Sequence, residues 1–119
     1  MRIVAVKDLA PLRAAAKARI DAAAEELRAA ILTPGAGQAA VYAAKQAEAR
    51  RFQAEGVIGP LMRAEIGLTT PDAAALAALW LQREAEWLAA AAEIELGRLK
   101  AKAAVDAAQT PAAIGAVQF

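Results

Sequence analysis

The stretch DAAALAALWLQREAEWLAAAAEIELGRLKAKAAVDAA, residues 72–108, decides the fold of this 119-residue chain. Its apolar residues recur at mostly seven-residue steps, as Leu76, Trp80, Trp87, Ile94, Ala101 and Ala108. Such spacing is typical of a helix that packs along its length against other helices. The stretch predicts one helix of roughly 55 Å, at 1.5 Å per residue. Within it, Gly97 predicts either a mild kink or the close approach of another backbone.

Thr-Pro pairs and glycines indicate where the other helices begin and end. Alanine-rich sequence follows three such pairs, Thr33-Pro34, Thr70-Pro71 and Thr110-Pro111. A threonine side chain can cap the free N–H groups of the first turn of a helix, and Asp8 can do the same before Pro11. Proline is tolerated at the first helical position, because the backbone N–H that it lacks would have no acceptor within the helix. The corresponding ends lie at or near Gly56, Gly67 and Gly115. We therefore predict further helices at about 9–32, at 34 or 38 to 55, and at 60–66, and a last helix start at Thr110-Pro111.

The composition favours helix throughout the chain. About a third of the residues are alanine, the best helix former, whereas the residues that strands prefer are scarce. We predict an all-α fold: an antiparallel helical bundle or coiled coil of about three main helices, with one long C-terminal helix and extended termini. The expected domains are an extended N-terminal segment (1–8), a helical domain (9–109) and a C-terminal tail (110–119). Because an alanine buries roughly a third of the area of a leucine, we expect a small core. We also expect the end of the long helix either to contact another chain or to be exposed.

Most catalytic constellations are excluded by composition. The chain has no histidine, cysteine, serine or asparagine. Its close carboxylate pairs, Glu84 with Glu86 and Glu93 with Glu95, point in different directions on a helix, so they predict a solvated face. A carboxylate-bridged metal centre in a helical bundle also requires Glu-x-x-His pairs. We therefore predict no enzymatic activity, no catalytic, cofactor or metal site, and no small-molecule substrate.

The charge pattern disfavours a nucleic-acid or membrane partner. The 14 basic and 13 acidic residues give a net charge of +1, and no stacking aromatics interleave with Arg50-Arg51 or with Arg98, Lys100 and Lys102. We interpret these basic residues as solvated and paired along the helix. The apolar run at 3–6 is too short for a signal-peptide core, so we expect no secretion by that route. The most apolar stretch, 73–92, contains three charged residues and does not predict a membrane span.

The aromatic residues are candidates for a partner interface. Trp80 and Trp87 are one heptad apart on one face, which fits core packing and, alternatively, an intermolecular anchor, since tryptophan is enriched at interface hot spots. Tyr42 lies on the apolar face of the second predicted helix. Lys45 lies on the same face, where its stem can follow the seam while its ammonium reaches water or a glutamate.

Both termini contain further candidates. Ile3, Val4 and Val6 belong to the one strand-like segment, which has no strand in its own chain to pair with. This segment is either disordered or added to a partner's sheet or groove. The last residues raise the same alternatives through Ile114, Val117 and Phe119.

Several of these residues also recur in a known group of proteins. They are, in order, Gln38, Tyr42, Lys45, Glu48-Ala49, Pro60-Leu61, Ala64-Glu65-Ile66-Gly67, Trp87, Ile94-Glu95, Arg98, Lys102-Ala103-Ala104 and Ala107-Ala108. Over about 20–114, the chain resembles alanine-rich helical proteins encoded among the tail and tail-fibre genes of tailed bacteriophages and prophages. The motifs are low in complexity, so the resemblance rests on their order and spacing.

The resemblance implies a virion or tail-region protein and says nothing about catalysis. We expect a non-enzymatic structural component of a phage particle, attached to the tail, the fibre or another repeating virion structure through helical and terminal contacts. Its partners would be other phage structural proteins, and a homo-oligomer is compatible with the long helix. Its location would be the virion, assembled in the host cytoplasm. Two alternatives are an assembly chaperone for tail or tail-fibre proteins and a nucleic-acid-binding helical module.

Overall fold

The computed structural model describes residues 8–32 and 34–119, and these residues form α-helices without a β-strand. The helices are α1 (Ala10–Ile31), α2 (Ala36–Glu55), α3 (Pro60–Glu65), α4 (Ala73–Ala107) and α5 (Pro111–Ala116). The predicted all-α class is confirmed, and so is the long helix, since α4 has 35 residues. The predicted N-terminal segment with Ile3, Val4 and Val6, and the predicted cap at Thr33, lie outside the described residues.

Local hydrogen bonds are present at the predicted start of α1 and at the predicted end of α2. At the start of α1, the Asp8 carboxylate accepts a hydrogen bond of 3.0 Å from the backbone N–H of Ala10. At the end of α2, Gly56 adopts a left-handed φ of 71° and its N–H donates to the carbonyl of Phe52. A side chain is disfavoured at that φ, and glycine therefore ends the helix at low cost.

The two Thr-Pro pairs within the described residues behave differently. Thr110 caps α5 as predicted, because its hydroxyl accepts a hydrogen bond from the N–H of Ala113. At α4 the predicted Thr70 cap is wrong, since the Asp72 carboxylate accepts from the N–H of Ala75 at 2.7 Å. The Thr70 hydroxyl instead donates to the Asp72 carbonyl. The Asp72 carboxylate lies two residues closer to the helix than Thr70, and its negative charge interacts favourably with the positive end of the helix dipole.

Where the sequence predicted one helical domain over 9–109, the contacts divide the chain into two compact units. The first unit combines the chain up to Ala30 with Ala91–Phe119, and the second is Ile31–Ala90. Each unit has its own cluster of buried apolar side chains. The buried side chains thus form two clusters within the predicted helical domain, and α4 contributes to both.

In the first unit, α1 packs antiparallel to the C-terminal part of α4. Arg13, near the start of α1, donates to the carbonyl of Ala108, whereas Arg28, near its end, pairs with Glu95 at 3.0 Å. Residue numbers thus rise along α1 as they fall along α4, which confirms the antiparallel arrangement in this unit. The buried cluster comprises Ala16, Ile20, Ala101, Val105 and Ile114.

The prediction of an extended tail over 110–119 is wrong, because Pro111–Ala116 forms α5. Ile114 is only 2% exposed and belongs to the same buried cluster as Ile20 and Val105. Val117 is partly buried against that cluster. Ile114 is therefore a core residue of its own chain. Because its apolar surface is already buried against that cluster, little of it is left for contact with a partner.

Phe119 explains the glycine within α4. A Cβ on Gly97 would lie 3.0 Å from the ring of Phe119, which is closer than ordinary van der Waals contact. The close neighbour at this position is thus an aromatic side chain, where the sequence had predicted a backbone or a kink.

Four charged side chains join α1 to α4 in the first unit. Arg98 donates to Asp21 at 3.0 Å and to both carboxylate oxygens of Glu95, at 2.6 and 3.0 Å. Lys102 donates to both oxygens of Asp21, each at 3.0 Å. The predicted pairing along the helix is confirmed for Arg98 with Glu95, and Asp21 extends the network to α1.

The same contacts shift the pKa values of these groups. Hydrogen bonds from Lys102 and then from Arg98 lower the pKa of Asp21. The hydrogen bond from Arg98 lowers the pKa of Glu95 and outweighs the opposing effect of desolvation. The pKa of Arg98 is raised, chiefly by Glu95 and Asp21. Each group thus favours the charged form of its partner.

In the second unit, a carboxylate of α2 orients the short helix α3. Glu48 accepts hydrogen bonds of 3.0 Å from the backbone N–H groups of Leu61 and Met62 in the first turn of α3. A Cβ on Gly59 would occupy the position of this carboxylate. Glycine at 59 therefore allows the cap to form, and Met62 then lies fully buried beside α2 and α4 in the cluster of Ala49, Met62, Leu76, Ala77 and Trp80.

Replacing Ile114 with alanine is expected to lower the free energy of unfolding by about 2–5 kcal/mol, because it leaves a cavity in the core of the first unit. Urea denaturation followed by circular dichroism measures this loss. The exposed neighbour Gln118, changed to alanine, serves as the control, with an expected change within about 0.5 kcal/mol. Equal, small effects at both positions would contradict the burial of α5.

Replacing Asp21 with asparagine is expected to lower the Tm near neutral pH, with a difference from the wild type that disappears in acid. A carboxylate with a lowered pKa in the folded state stabilises the fold above its unfolded-state pKa. This contribution is lost as the pH falls through the folded-state pKa. Thermal denaturation across an acid-to-neutral pH series measures the effect, with Glu26→Gln on the same helix as the control. A Tm difference that stays constant down to about pH 2 would refute the role of this charge.

Candidate binding groove

A groove with a volume of about 520 Å³ lies in the second unit. The end of α1, one side of α2 and the first part of α4 line it. Ile31 and Leu32 contribute aliphatic surface that is 37% and 45% exposed. A cavity of this size lined by apolar and aromatic side chains has the properties of a ligand or peptide site.

Three predicted interface residues converge on this groove, namely Tyr42 from α2 with Trp80 and Trp87 from α4. Trp80 is 5% exposed and belongs to the buried cluster of the unit, so the core-packing interpretation is confirmed for it. Trp87 and Tyr42 remain 36% and 40% exposed. The two tryptophans therefore differ in environment, and the interpretation as an intermolecular anchor remains a prediction for Trp87.

Lys45 links the aromatic residues to α3. Its ammonium nitrogen lies 5.2 Å from the ring centroid of Trp80 and 6.0 Å from that of Tyr42, within the range of cation–π attraction. The same nitrogen is 2.9 Å from a carboxylate oxygen of Glu65 in α3. The prediction that this ammonium reaches a glutamate is confirmed. Because Lys45 already lies over both rings, the groove disfavours a second cation there.

The charges beside the groove leave one cation in excess. Lys45 pairs with Glu65, and Glu84 pairs with Arg50. Arg83 also lines the groove and is exposed, and within the described part of the chain it takes part in no ion pair or hydrogen bond. An occupant that offers apolar side chains together with a carboxylate would therefore complement the groove.

The sequence did not single out Arg83 and Leu32 as parts of a site. Arg83 had a detectable signal, because it lies three residues after Trp80 and four before Trp87 and therefore on the same side of a helix. Leu32 had none, since its proximity to the aromatic residues depends on tertiary contacts. Of the other candidates, Ile114, Val117 and Phe119 belong to the first unit and do not line the groove.

The described residues provide neither a metal-binding cluster nor a membrane-spanning helix. No group of three or more acidic side chains in the described ranges is arranged to hold a metal ion. Among the helices that the structure describes, none combines the length and the apolar character that a membrane span requires.

Comparison with known proteins does not assign the chain to a family. No protein-family model matches it, and no curated protein or solved structure matches it significantly.

Alanine substitution should separate the two tryptophans. Trp80→Ala is expected to lower the free energy of unfolding by about 3–5 kcal/mol, because it empties the core of the second unit. Trp87→Ala is expected to cost less than half of that, since the side chain is already partly in water. Urea denaturation of both variants provides the comparison. Equal losses would show that Trp87 is also a core residue and would remove it from the interface.

Proposed function

We propose that the protein is a non-enzymatic helical component of a phage particle, attached to the tail, the tail fibre or another repeating virion structure through the aromatic groove. The observation that carries this proposal is the convergence of Tyr42, Trp80 and Trp87 on one groove. Tyrosine and tryptophan dominate the binding energy of many protein interfaces. Partly exposed rings on a buried aromatic base suit the docking of another protein.

The small core of each unit supports a role in assembly. Alanine supplies two of the five buried side chains in each cluster, Ala16 and Ala101 in one and Ala49 and Ala77 in the other. These alanines bury little area, so each unit gains little stability from its own interior. Contact with a neighbouring protein would bury the apolar surface that remains exposed and add to this stability.

The proposed partner is another phage structural protein that presents an apolar segment with an acidic residue. Its apolar side chains would contact Leu32, Tyr42 and Trp87, while its carboxylate would pair with Arg83. An amphipathic helix placed in a groove is an established mode of such recognition. The phage part of the proposal is supported by the sequence resemblance, and the site of attachment by the groove. The proposed location is the virion, assembled in the host cytoplasm.

Mass spectrometry of purified virions tests the proposal. We expect peptides of this chain in the particles, and we expect Trp87→Ala to reduce its incorporation while far-UV circular dichroism shows an intact fold. Leu68, which is 84% exposed and outside the groove, provides the matched control as Leu68→Ala. Absence of the wild-type chain from virions would reject the structural role. Equal incorporation of both variants would reject the groove as the attachment site.

The same experiment separates the alternatives. A chaperone for tail or tail-fibre proteins would be recovered with immature fibre from infected cells but not from virions. A nucleic-acid-binding module is less well supported, because Asp21 and Glu95 already engage Arg98 and Lys102. That alternative predicts binding that weakens steeply with salt.

A further inference from the structure

In the first unit, α4 has an apolar face directed away from its buried side chains. Ala92, Leu96, Leu99 and Ala103 follow one another at steps of four, three and four residues, which places them on one side of a helix. All four are exposed, with Leu96 at 54% and Leu99 at 52%. We call these four residues the leucine face. Adjacent exposed leucines in a continuous stripe are typical of an interaction surface.

Charged residues lie on both flanks of the leucine face, and they differ in their pairing. On one flank, Glu95 and Lys102 take part in the network with Arg98 and Asp21, and Asp106 pairs with Lys17 at 2.6 Å. These charges are satisfied within the first unit.

On the other flank, Glu93 and Lys100 lie two helical turns apart. Both are exposed, and neither forms an ion pair or a side-chain hydrogen bond with any other residue that the structure describes. The leucine face thus has one acidic and one basic group available along the same edge.

We propose that a second copy of this chain covers the leucine face, with the two α4 helices antiparallel and related by a two-fold axis near Leu96. A two-fold axis of this kind brings the same flank of both helices together. Residues 93 and 100 lie at nearly equal distances on either side of that axis. Glu93 of each copy therefore lies opposite Lys100 of the other, and two equivalent ion pairs form.

Charge complementarity selects a second copy as the occupant. Glu93 and Lys100 are two helical turns apart on one flank, and this flank meets its own copy only when the two helices are antiparallel. Each acidic group then faces the basic group of the other copy. A parallel pair would place this flank against the flank whose charges are already satisfied. Ala92 and Ala103 permit a short distance between the helix axes, near the lower end of about 8–10 Å, so that Leu96 and Leu99 of both copies interdigitate. The proposal does not depend on the phage assignment or on the aromatic groove.

Charge reversal tests the register. The wild type should sediment at twice its 12.3 kDa chain mass. Glu93→Lys and Lys100→Glu should each weaken self-association by about tenfold or more, because each creates two repulsive pairs. An equimolar mixture of the two variants should restore the dimer, since both cross-pairs are then attractive. The double variant Glu93→Lys/Lys100→Glu should also form the dimer, because exchanging the two charges keeps both cross-pairs attractive.

Apolar disruption and a control complete this series. Leu96→Glu should weaken the dimer by more than about a hundredfold, because two carboxylates would be buried near the two-fold axis. Leu68→Glu, at an exposed leucine outside α4, should leave it unchanged. A monomeric wild type across the concentration range, or a mixture of charge variants no more associated than either alone, would overturn the proposal. A virion result of either sign does not affect this test.

Disulfide trapping tests the direction of the helices, and the native chain has no cysteine to interfere. Leu96→Cys should cross-link under mild oxidation, because the two copies of residue 96 lie close to the axis. Ala103→Cys should not, since antiparallel helices separate the two copies of residue 103 by roughly 20 Å at 1.5 Å per residue. Efficient cross-linking through Ala103→Cys would indicate a parallel pair and reject the proposed register.

Discussion

The structure depends on one constraint: the chain has few large apolar side chains, and a single helix, α4, supplies buried residues to both apolar clusters. α4 supplies Leu76 and Trp80 to the buried cluster of the second unit and Ala101 and Val105 to that of the first. Each cluster is small, and among the helices that the structure describes α4 alone contributes buried residues to both.

Where apolar volume is limited, polar contacts determine how the short elements are positioned. Glu48 caps α3 through two backbone N–H groups, and Lys45 joins α2 to α3 through Glu65. In the first unit, Asp21 and Arg98 join α1 to α4. Such exposed or partly exposed pairs add little energy individually. Their effect is geometric, because each contact forms only when its two helices lie in the observed position relative to each other.

The aromatic groove and the leucine face have a common origin in this composition. Trp87 and Leu96 are 36% and 54% exposed. Alanine is common on the helix surfaces, and its methyl group is too small to cover a neighbouring large side chain. Surface that a core rich in leucine would have enclosed thus remains accessible to other proteins. The two surfaces lie in different units and are open to partners of different chemistry. The groove combines aromatic rings with Arg83, and the leucine face combines leucines with the self-complementary charges of Glu93 and Lys100.

The sequence by itself determined the all-α class, the length of α4 and most helix boundaries, because alanine propensity, capping residues and glycine act within a few neighbouring residues. It also identified Tyr42, Trp80 and Trp87 through their helical spacing. Only the tertiary structure decided that Trp80 is buried while Trp87 is exposed, and that Ile114 belongs to a core and not to an extended tail. The division into two units was likewise a tertiary result. These outcomes depend on which residues distant in sequence come into contact, and periodicity along one helix contains no information about that choice.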